Sequence, residues 1–332
     1  MKVGLMYNDI APLRQILWAE NPHGVQQMEA TVAAVRSALG AGGYDVKEWA
    51  LPPAPDLGAL AAWDVDLVFN LITGITGKAL QIHSVALLEM LDIPFIGSPL
   101  EAHTVCLNKW LTKLVLVRSG IPTPPFQRIS QSSGFIKSLP FPFPAILKPI
   151  REGSSLGITQ NSVVHNHREL EQQARALFDQ FQQDLLVEAL LPGREFTVGL
   201  LGNDPLRVLP IQEIIYARWP QHLPKIYSFE AKTYDLPARQ CPALIRNPLR
   251  KNLERLAIAS AKALNTADLL RLDLRLDANG NPMVLEANAL PGLQPIYSEY
   301  PRMAEAGGIS FELLIIELVK AAKQRIGSEG SA

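Results

Sequence analysis

Residues 271–280 of this chain read Arg-Leu-Asp-Leu-Arg-Leu-Asp-Ala-Asn-Gly, and residues 283–292 read Met-Val-Leu-Glu-Ala-Asn-Ala-Leu-Pro-Gly. Alternating apolar residues on either side of an Asp-Ala-Asn-Gly sequence predict two β-strands joined by a tight turn. Because side chains alternate between the two faces of a strand, Arg271 and Asp273 share one face of the first strand. By the same rule, Glu286 and Asn288 share one face of the second, so the stretch predicts a β-hairpin with polar side chains on both strands.

These polar side chains have the chemistry of a magnesium site. The carboxylates of Asp273 and Glu286 and the amide carbonyl of Asn288 are hard oxygen ligands of the kind that Mg²⁺ prefers. Magnesium held by few protein oxygens usually binds together with nucleotide phosphates. The alternative is a surface hairpin with scattered charges. Three residues of ligand type beside an arginine favour the metal site, and with it the use of ATP.

Length, charge and cysteine content narrow the class of protein. A chain of 332 residues allows two or three domains with a large core. Its 31 Lys and Arg residues nearly balance its 32 Asp and Glu residues, so the bulk charge indicates neither a nucleic-acid partner nor an anionic membrane. Cys106 and Cys241 lie far apart without a CxxC pattern, which is typical of the reducing cytoplasm. We expect neither a signal peptide nor a transmembrane segment.

Apolar strands alternate with amphipathic helices along the chain, which is the pattern of an α/β protein. The N-terminal part predicts a doubly wound domain with strands over 2–7, 44–49, 65–69 and 93–96 and helices over 26–39 and 82–91. The rest predicts helices over 107–119, 167–182, 252–264 and 310–325 and strands over 143–149, 184–188, 196–201 and 208–214. The irregular segment over 215–245 predicts a lid or a binding loop.

Two segments have the composition of a nucleotide site. The strand that ends at Lys148 runs into a loop, Glu152-Gly-Ser-Ser-Leu-Gly, whose glycines let the backbone approach a phosphate and whose Ser154 and Ser155 offer hydroxyls. This motif alone leaves an ordinary turn equally open. A second buried strand ends at Glu188, and a tight turn then leads to Glu195. These acids are candidates for binding adenine and ribose, although single edge carboxylates are more often only solvated.

Lys232 lies in the irregular segment, after Tyr227-Ser-Phe-Glu-Ala. A lysine on a mobile lid can close over phosphates and exclude water. Surface lysines are usually only solvated, so this residue is weak evidence when taken alone.

In this order the motifs resemble those of the ATP-grasp superfamily, and specifically the D-alanine–D-alanine ligase family. The resemblance covers about residues 86–322. It rests on Leu-Asn-Lys-Trp-Leu-Thr-Lys at 107–113, Gly-Ile-Pro-Thr-Pro at 120–124, the lysine and glycine-rich segment at 148–157, Pro-Gly-Arg-Glu-Phe-Thr-Val at 192–198, Glu-Ala-Lys at 230–232, the hairpin with Pro-Gly at 271–292, and Met-Ala-Glu-Ala-x-Gly-Ile-Ser at 303–310.

The resemblance implies an ATP-grasp fold of three domains. They are an N-terminal doubly wound domain over 1–105, a central subdomain over 106–188 and a catalytic subdomain over 189–332, with ATP between the last two. The residues implied to bind ATP are Lys109, Lys148, Glu152, Ser154, Ser155, Glu188, Ala189, Leu191, Glu195 and Lys232. Those implied to bind two Mg²⁺ or Mn²⁺ ions are Asp273, Glu286 and Asn288. Those implied to act in catalysis are Arg271, Lys232, Ser154 and Gly292.

The resemblance also implies a reaction. The γ-phosphoryl group is transferred to a substrate oxygen, usually of a carboxylate, and an amine then displaces phosphate. In that scheme Arg271 and the backbone amide of Gly292 stabilise the oxyanion of a tetrahedral intermediate.

The segments that bind substrate depart from the family pattern. Residues 7–21 lack the Glu-x-x-Val-Ser-like loop whose acid binds the ammonium of the first alanine, and residues 70–77 replace a His-Gly…Gly-Glu-Asp-Gly loop. Residues 293–300 replace the Met-Thr and serine-bearing segment, and Ala189 stands where a lysine often follows the conserved acid. The candidates for substrate specificity are Thr73, Tyr227, Gln294, Tyr297 and Ser298.

These departures favour a specialised ligase whose substrates are small molecules. The preferred hypothesis is imine formation between mycosporine-glycine, a cyclohexenone, and an amino acid in mycosporine-like amino acid biosynthesis. A D-alanine–D-alanine or other dipeptide ligase of peptidoglycan synthesis is one alternative, and an ATP-binding sensor or kinase without ligation is another. Retention of Arg271, which acts in the ligation step, argues against the last. We expect a cytoplasmic homodimer without a nucleic-acid or membrane partner.

Overall fold

The computed structural model describes residues 1–9, 22–52, 54–73, 81–131, 138–153, 156–216, 219, 223–226 and 238–329. Ser154, Ser155, Tyr227 and Lys232 lie outside these ranges, as does most of the predicted lid. Within them the chain forms three β-sheets with flanking helices, so the predicted α/β class is confirmed.

The N-terminal sheet is parallel and has the strand order β2-β1-β3-β4. Its elements in chain order are β1 (Lys2–Asn8), α1 (Pro22–Ala41), β2 (Asp45–Leu51), α2 (Leu57–Ala61), β3 (Leu67–Asn70), α3 (Ile82–Met90) and β4 (Phe95–Ile96). Parallel pairing with helical crossovers agrees with the predicted doubly wound arrangement.

The predicted continuous helix over 107–119 is wrong at one residue. Two helices, α4 (Leu100–Leu107) and α5 (Lys109–Arg118), meet at Asn108, whose backbone is extended with φ −102° and ψ 102°. Asn108 Oδ1 accepts hydrogen bonds from the backbone amides of Trp110 and Leu111 at 3.1 and 3.2 Å. An asparagine at this position caps a new helix rather than continuing the old one, and the break places Lys109 in the first turn of α5.

The central sheet is antiparallel, with the strand order β5-β8-β6-β7. Helix α6 packs against it through an apolar stripe that includes Leu170, Ala174 and Leu177. The bounds of its elements are β5 (Phe126–Ile129), β6 (Ala145–Pro149), β7 (Val163–Val164), α6 (His167–Phe181) and β8 (Leu185–Ala189).

The C-terminal sheet has six strands, in the order β12-β11-β9-β13-β14 with β10 beside β9. The predicted strand over 208–214 is divided, because Pro210 lacks an N–H group for the ladder and separates β10 from β11. The elements are β9 (Glu195–Leu201), β10 (Arg207–Val208), β11 (Gln212–Ile215), β12 (Ala238–Gln240), α7 (Asn247–Ala263), β13 (Leu269–Leu276) and β14 (Pro282–Asn288).

Two C-terminal helices, α8 (Glu299–Ala306) and α9 (Phe311–Glu329), pack against residues of both the first and the last sheet. One apolar cluster contains Val3 and Leu5 of β1 together with Tyr300 of α8 and Leu314 of α9. The N-terminal and C-terminal parts therefore share a core. The three sheets occupy successive stretches of the chain, while the exact domain boundaries after residues 105 and 188 stay a prediction.

Candidate active site

A cleft lies between the central and C-terminal sheets. Apolar and charged side chains both line it. They are Ile146, Lys148, Ile158, Glu188, Ala189, Leu190, Leu191, Glu195, Thr197, Ile226, Arg271, Asp273, Arg275, Leu285, Glu286 and Glu299. Most of the residues predicted to bind ATP, metal or the reacting groups are thus brought to one place.

The predicted hairpin is confirmed, and its register brings the predicted metal ligands together. Asp273 of β13 pairs with Glu286 of β14, and Arg271 pairs with Asn288. The turn is closed by Asp277, whose Oδ1 accepts from the backbone amides of Asn279 and Asn281 at 2.9 and 2.8 Å. A bulge follows Asp273. The register shifts at this bulge, and the shift places Glu286 rather than Leu285 opposite Asp273.

Arg271, Asp273, Glu286 and Asn288 form a polar row on the hairpin, and Asp273 lies at its centre. Its Oδ2 accepts a hydrogen bond from Arg271 at 2.9 Å and lies 3.5 Å from Nδ2 of Asn288. Its Oδ1 accepts from the hydroxyl of Thr197 at 3.0 Å. Two facing carboxylates and one amide form a set of hard oxygen donors that fits Mg²⁺ with phosphate oxygens completing its coordination.

No group of three or more His, Cys, Asp or Glu side chains is placed to hold a metal ion in the part of the chain that the structure describes. A metal at the hairpin therefore needs the Asn288 amide and oxygens from the nucleotide in addition to the two carboxylates.

Arg271 carries a buried nitrogen that lacks an acceptor. Its Nε has no hydrogen-bond partner among the described residues. Burial alone would lower its pKa, but the charges of Asp273 and Glu286 raise the pKa overall, so the guanidinium stays charged. A buried donor without an acceptor is costly, and its position beside the carboxylate row suits an anionic group bound in the cleft.

A buried cluster of two lysines and one glutamate lies at the other wall of the cleft. Glu188 forms ion pairs with Lys148 and, at 2.7 Å, with Lys113. Burial alone would raise the pKa of Glu188, but the charges and hydrogen bonds of the two lysines hold it at about 2. Both carboxylate oxygens of Glu188 lie in ion pairs, which hold Lys148 in place, while its predicted contact with adenine stays a prediction.

Lys113 is a member of this cluster to which sequence reasoning assigned no role. It is completely buried, and desolvation lowers its pKa. Its Nζ donates to the hydroxyl of Thr123 at 2.7 Å, and that hydroxyl donates to the carbonyl of Val284 at 2.8 Å. The signals in the sequence are its place at the end of the 107–113 motif and its position four residues after Lys109, on the same face of α5.

Lys109, in the first turn of α5, reaches Glu286 in the polar row of the hairpin. Its Nζ donates to the carbonyl of Glu152 and lies 3.6 Å from Oε1 of Glu286. The side chain of Glu152 accepts from Gln183 at 2.8 Å. The structure therefore brings Lys109 and Glu152 next to the hairpin, while their predicted contacts with phosphate stay a prediction.

Glu195 is buried between two donors. Tyr216 donates to its Oε2 at 3.0 Å, and Arg275 lies 3.3 Å from the same oxygen. Burial raises the pKa of Glu195 despite the charge of Arg275. Sequence reasoning missed Arg275 and Tyr216, because each depends on register between strands.

Three of the predicted specificity residues, Gln294, Tyr297 and Ser298, lie in the segment that follows Gly292. Gln294 uses its side-chain oxygen to accept from the backbone amides of Ile296 and Tyr297. Ser298 accepts from the amide of Gln294 at 3.1 Å. Gly292 packs closely here, since a Cβ on it would lie 2.7 Å from Ser298 Oγ. None of these residues, nor the exposed Thr73, belongs to the described lining of the cleft.

Comparisons with known proteins identify the family to which this chain belongs. The family model described as the D-ala D-ala ligase C-terminus matches residues 115–320. The uncharacterized protein y4sG of Sinorhizobium fredii is 34% identical over 282 residues, covering 84% of this chain and 80% of that protein. The D-alanine–D-alanine ligase of Pelotomaculum thermopropionicum is 32% identical over 273 residues, covering 79% of this chain and 82% of that one. The chain belongs to the D-alanine–D-alanine ligase family.

A solved structure confirms the fold. The D-alanine–D-alanine ligase of Bacillus anthracis complexed with ATP matches with a TM-score of 0.74 over 99% of both chains, at 21% identity. The chain is therefore an ATP-dependent ligase of the ATP-grasp type that uses ATP and Mg²⁺. The predictions of family, fold, enzyme class and cofactors are confirmed. Among the helices of the described ranges, none is long and apolar enough to cross a membrane.

Proposed function

We propose that this ligase activates an oxygen of a small acceptor and joins the acceptor to the amine of an amino acid. The observation that carries the proposal is one cleft lined by Lys148, by the carboxylates of Asp273 and Glu286, and by Arg271, whose Nε has no hydrogen-bond partner among the described residues. Positive charge suits phosphate, paired carboxylates suit Mg²⁺, and the arginine suits an oxyanion. These are the elements that phosphoryl transfer followed by amine attack requires.

Each wall of the cleft has a separate task in this proposal. When bound, ATP supplies the phosphoryl group that turns the acceptor oxygen into a leaving group. The phosphates are held by Lys109 and by Lys148, which Glu188 keeps in place. The adenine base is covered by the apolar residues around Ala189 and Leu191. Asp273, Glu286 and Asn288 hold the metal. Arg271 and the amide of Gly292 bind the oxygen on which negative charge develops.

The acceptor we favour is mycosporine-glycine, with an imine as the product. Support comes from the substrate segments, which lack the family's acidic early loop and its serine-bearing segment after Gly292. A cyclohexenone acceptor has no alanine ammonium to bind, so the missing acid is not needed. A bulky ring also suits altered loops, with Thr73, Gln294, Tyr297 and Ser298 as the candidates that shape its site.

A dipeptide ligase is the second candidate function. The relative from Pelotomaculum thermopropionicum is a D-alanine–D-alanine ligase by name, and its similarity extends over most of this chain. A sensor or kinase is a third candidate, and it is disfavoured by the retained Arg271, since its unsatisfied Nε suits the ligation step rather than nucleotide binding alone.

Release of ADP by the purified protein with Mg²⁺ tests these candidates. We would compare D-alanine alone with mycosporine-glycine plus serine, threonine or glycine, and identify products by mass spectrometry. An imine product with no turnover of D-alanine alone is expected. Turnover of D-alanine alone would favour the dipeptide ligase, and ATP binding without any ADP release would favour the sensor.

We further propose that the protein acts as a homodimer in the cytoplasm. Support for the compartment comes from two free cysteines without a disulfide among the described residues, and from the dependence on ATP. Light scattering coupled to gel filtration tests the dimer, and a monomeric mass at micromolar concentration would contradict it.

A further inference from the structure

Glu299 is a buried carboxylate in the wall of the cleft to which the motifs gave no role. It is the first residue of α8 and only 8% exposed, and it contributes to the cleft lining. Carboxylates are rarely this buried unless they are paired or bind something. Its position in a cleft wall, rather than in the apolar core, makes the second explanation relevant.

Two neighbouring strands fix the orientation of Glu299. Its Oε1 accepts from Nε of Arg239 on β12 at 2.7 Å, and its Oε2 accepts from the side-chain amide of Gln212 on β11. Arg239 is itself only 9% exposed at its side chain. The carboxylate is thus held in one place by donors from the sheet, as a recognition group requires.

Glu299 also lies close to the predicted reaction centre, on two independent observations. Gln212 is the register partner of Thr197, which donates to Asp273 of the polar row. On the other side, Ser298 directly precedes Glu299 and packs against Gly292. The charge of Glu299 is also felt by Arg271, whose guanidinium it stabilises. The carboxylate therefore lies at the end of the cleft where the acceptor and the amine would meet.

A buried ion pair costs so much desolvation that well-packed apolar residues usually stabilise a fold at least as much. A fixed anion in a cleft, by contrast, attracts a cationic group and repels an anionic one. An ammonium donates charge-assisted hydrogen bonds that a carboxylate accepts.

We propose that Glu299, positioned by Arg239 and Gln212, binds the ammonium group of the amine substrate. This inference rests on the proposed function, because it assigns the amine to one end of the same cleft. It makes Glu299 a specificity residue that selects amino acids or other cationic amines over neutral nucleophiles.

Comparing two nucleophiles separates this role from a general loss of activity. Hydroxylamine is neutral at pH 7.5 and can intercept an activated acceptor without an ammonium site. We would measure ADP release with mycosporine-glycine plus L-serine or hydroxylamine, and with D-alanine alone or with hydroxylamine. In Glu299→Gln we expect the KM for the amino acid to rise about 10- to 100-fold, because a charge-assisted hydrogen bond is lost. Activity with hydroxylamine and the KM for ATP should stay within about twofold of wild type.

Two further variants keep the result interpretable. Glu305→Gln, at an exposed position of the same helix, is the matched control and should behave as wild type. The double variant R239M/E299L replaces the ion pair by apolar residues, which preserves folding, and it should still lose amino-acid affinity. An unchanged KM for the amino acid in Glu299→Gln and in the double variant would overturn the inference. A wild-type protein that releases no ADP with either nucleophile would instead overturn the proposed function.

Discussion

At the scale of single residues, the site depends on charged side chains that form ion pairs with one another away from bulk water. Glu188 sits between Lys113 and Lys148 and connects α5 to the central sheet. Lys113 and Glu188 are buried and Lys148 is largely so, and each charge depends on the others for compensation. The cluster therefore joins α5 to the central sheet and holds Lys148 at the wall of the cleft.

Removing the carboxylate of this cluster should be strongly destabilising. In Glu188→Ala two buried lysines lose their counter-charge, and we expect a loss of about 3–5 kcal/mol in the free energy of unfolding. Urea denaturation monitored by fluorescence measures it. Glu171→Ala removes an exposed partner of Arg175 on α6 and should change stability by less than about 0.5 kcal/mol. Equal changes in the free energy of unfolding for the two substitutions would show that the buried cluster contributes no more to stability than an exposed ion pair.

A buried histidine gives the fold a dependence on pH. Burial lowers the pKa of His103 from 6.5 to about 4, so the folded protein holds it neutral where the unfolded chain would be protonated. The folded state is therefore favoured most above pH 6.5, and up to about 3 kcal/mol is lost as the pH falls to about 4. Urea denaturation between pH 7 and pH 4.5 should show a smaller decline for His103→Leu than for wild type. Parallel declines would contradict the assignment.

The sequence predicts those site residues whose neighbours are set by local rules. Strand alternation and one turn predict the hairpin that carries Asp273, Glu286 and Asn288, whereas the bulge that pairs Asp273 with Glu286 depends on the folded sheet. Lys113 and Glu299 are not predicted, because their ion-pair partners, Glu188 and Arg239, lie more than 50 residues away in the chain. A buried lysine and an exposed one look alike in a sequence until the packing is known.

At the scale of elements, polar signals decide where helices and strands end. The hairpin formed where alternation and an Asp-initiated turn agree. The helix break at Asn108 shows a capping side chain overriding a continuous helical pattern. The short strands β5, β7 and β12 and the helix α8 were not predicted, because two to eight residues contain too little periodicity to recognise.

The turn between β8 and β9 illustrates how tightly elements are joined at the cleft. A Cβ on Gly193 would lie 2.5 Å from the backbone oxygen of Leu276, which cannot move aside as a flexible side chain could. Gly193→Ala should therefore lower the unfolding temperature and cost about 1–3 kcal/mol. Gly40→Ala, in α1 with open space around it, should be neutral or slightly stabilising. Calorimetry compares them, and a stable Gly193→Ala variant would disprove the close contact.

At the scale of the whole molecule, a polar clamp holds the N-terminal sheet to the catalytic part. Asp268, completely buried before β13, accepts from the amide of Gly97 at 2.8 Å and from Arg325 of α9 at 2.9 Å. Arg325 also donates to the carbonyl of Phe95 at 2.9 Å. The N-terminal sheet and the C-terminal part of the chain are thus joined by charge as well as by their shared apolar core.

Breaking the clamp should loosen this junction. Arg325→Ala leaves the buried carboxylate of Asp268 without its counter-charge, and we expect a loss of about 3–5 kcal/mol in stability. Hydrogen exchange measured by mass spectrometry should show faster exchange in β4 and in the last turns of α9. Lys323→Ala, exposed on the same helix, is the control. Unchanged exchange in Arg325→Ala would mean that the apolar core alone holds the two parts together.

Transfer of an isotope label from acceptor to phosphate shows directly whether an acceptor oxygen becomes the leaving group when the amine attacks. Acceptor labelled with ¹⁸O, either mycosporine-glycine or D-alanine, is turned over with ATP and Mg²⁺, and the phosphate is analysed by mass spectrometry. We expect one ¹⁸O atom to appear in phosphate for each product molecule formed. Phosphate without label, with ADP still released, would mean that water is the nucleophile and that the chain is not acting as a ligase.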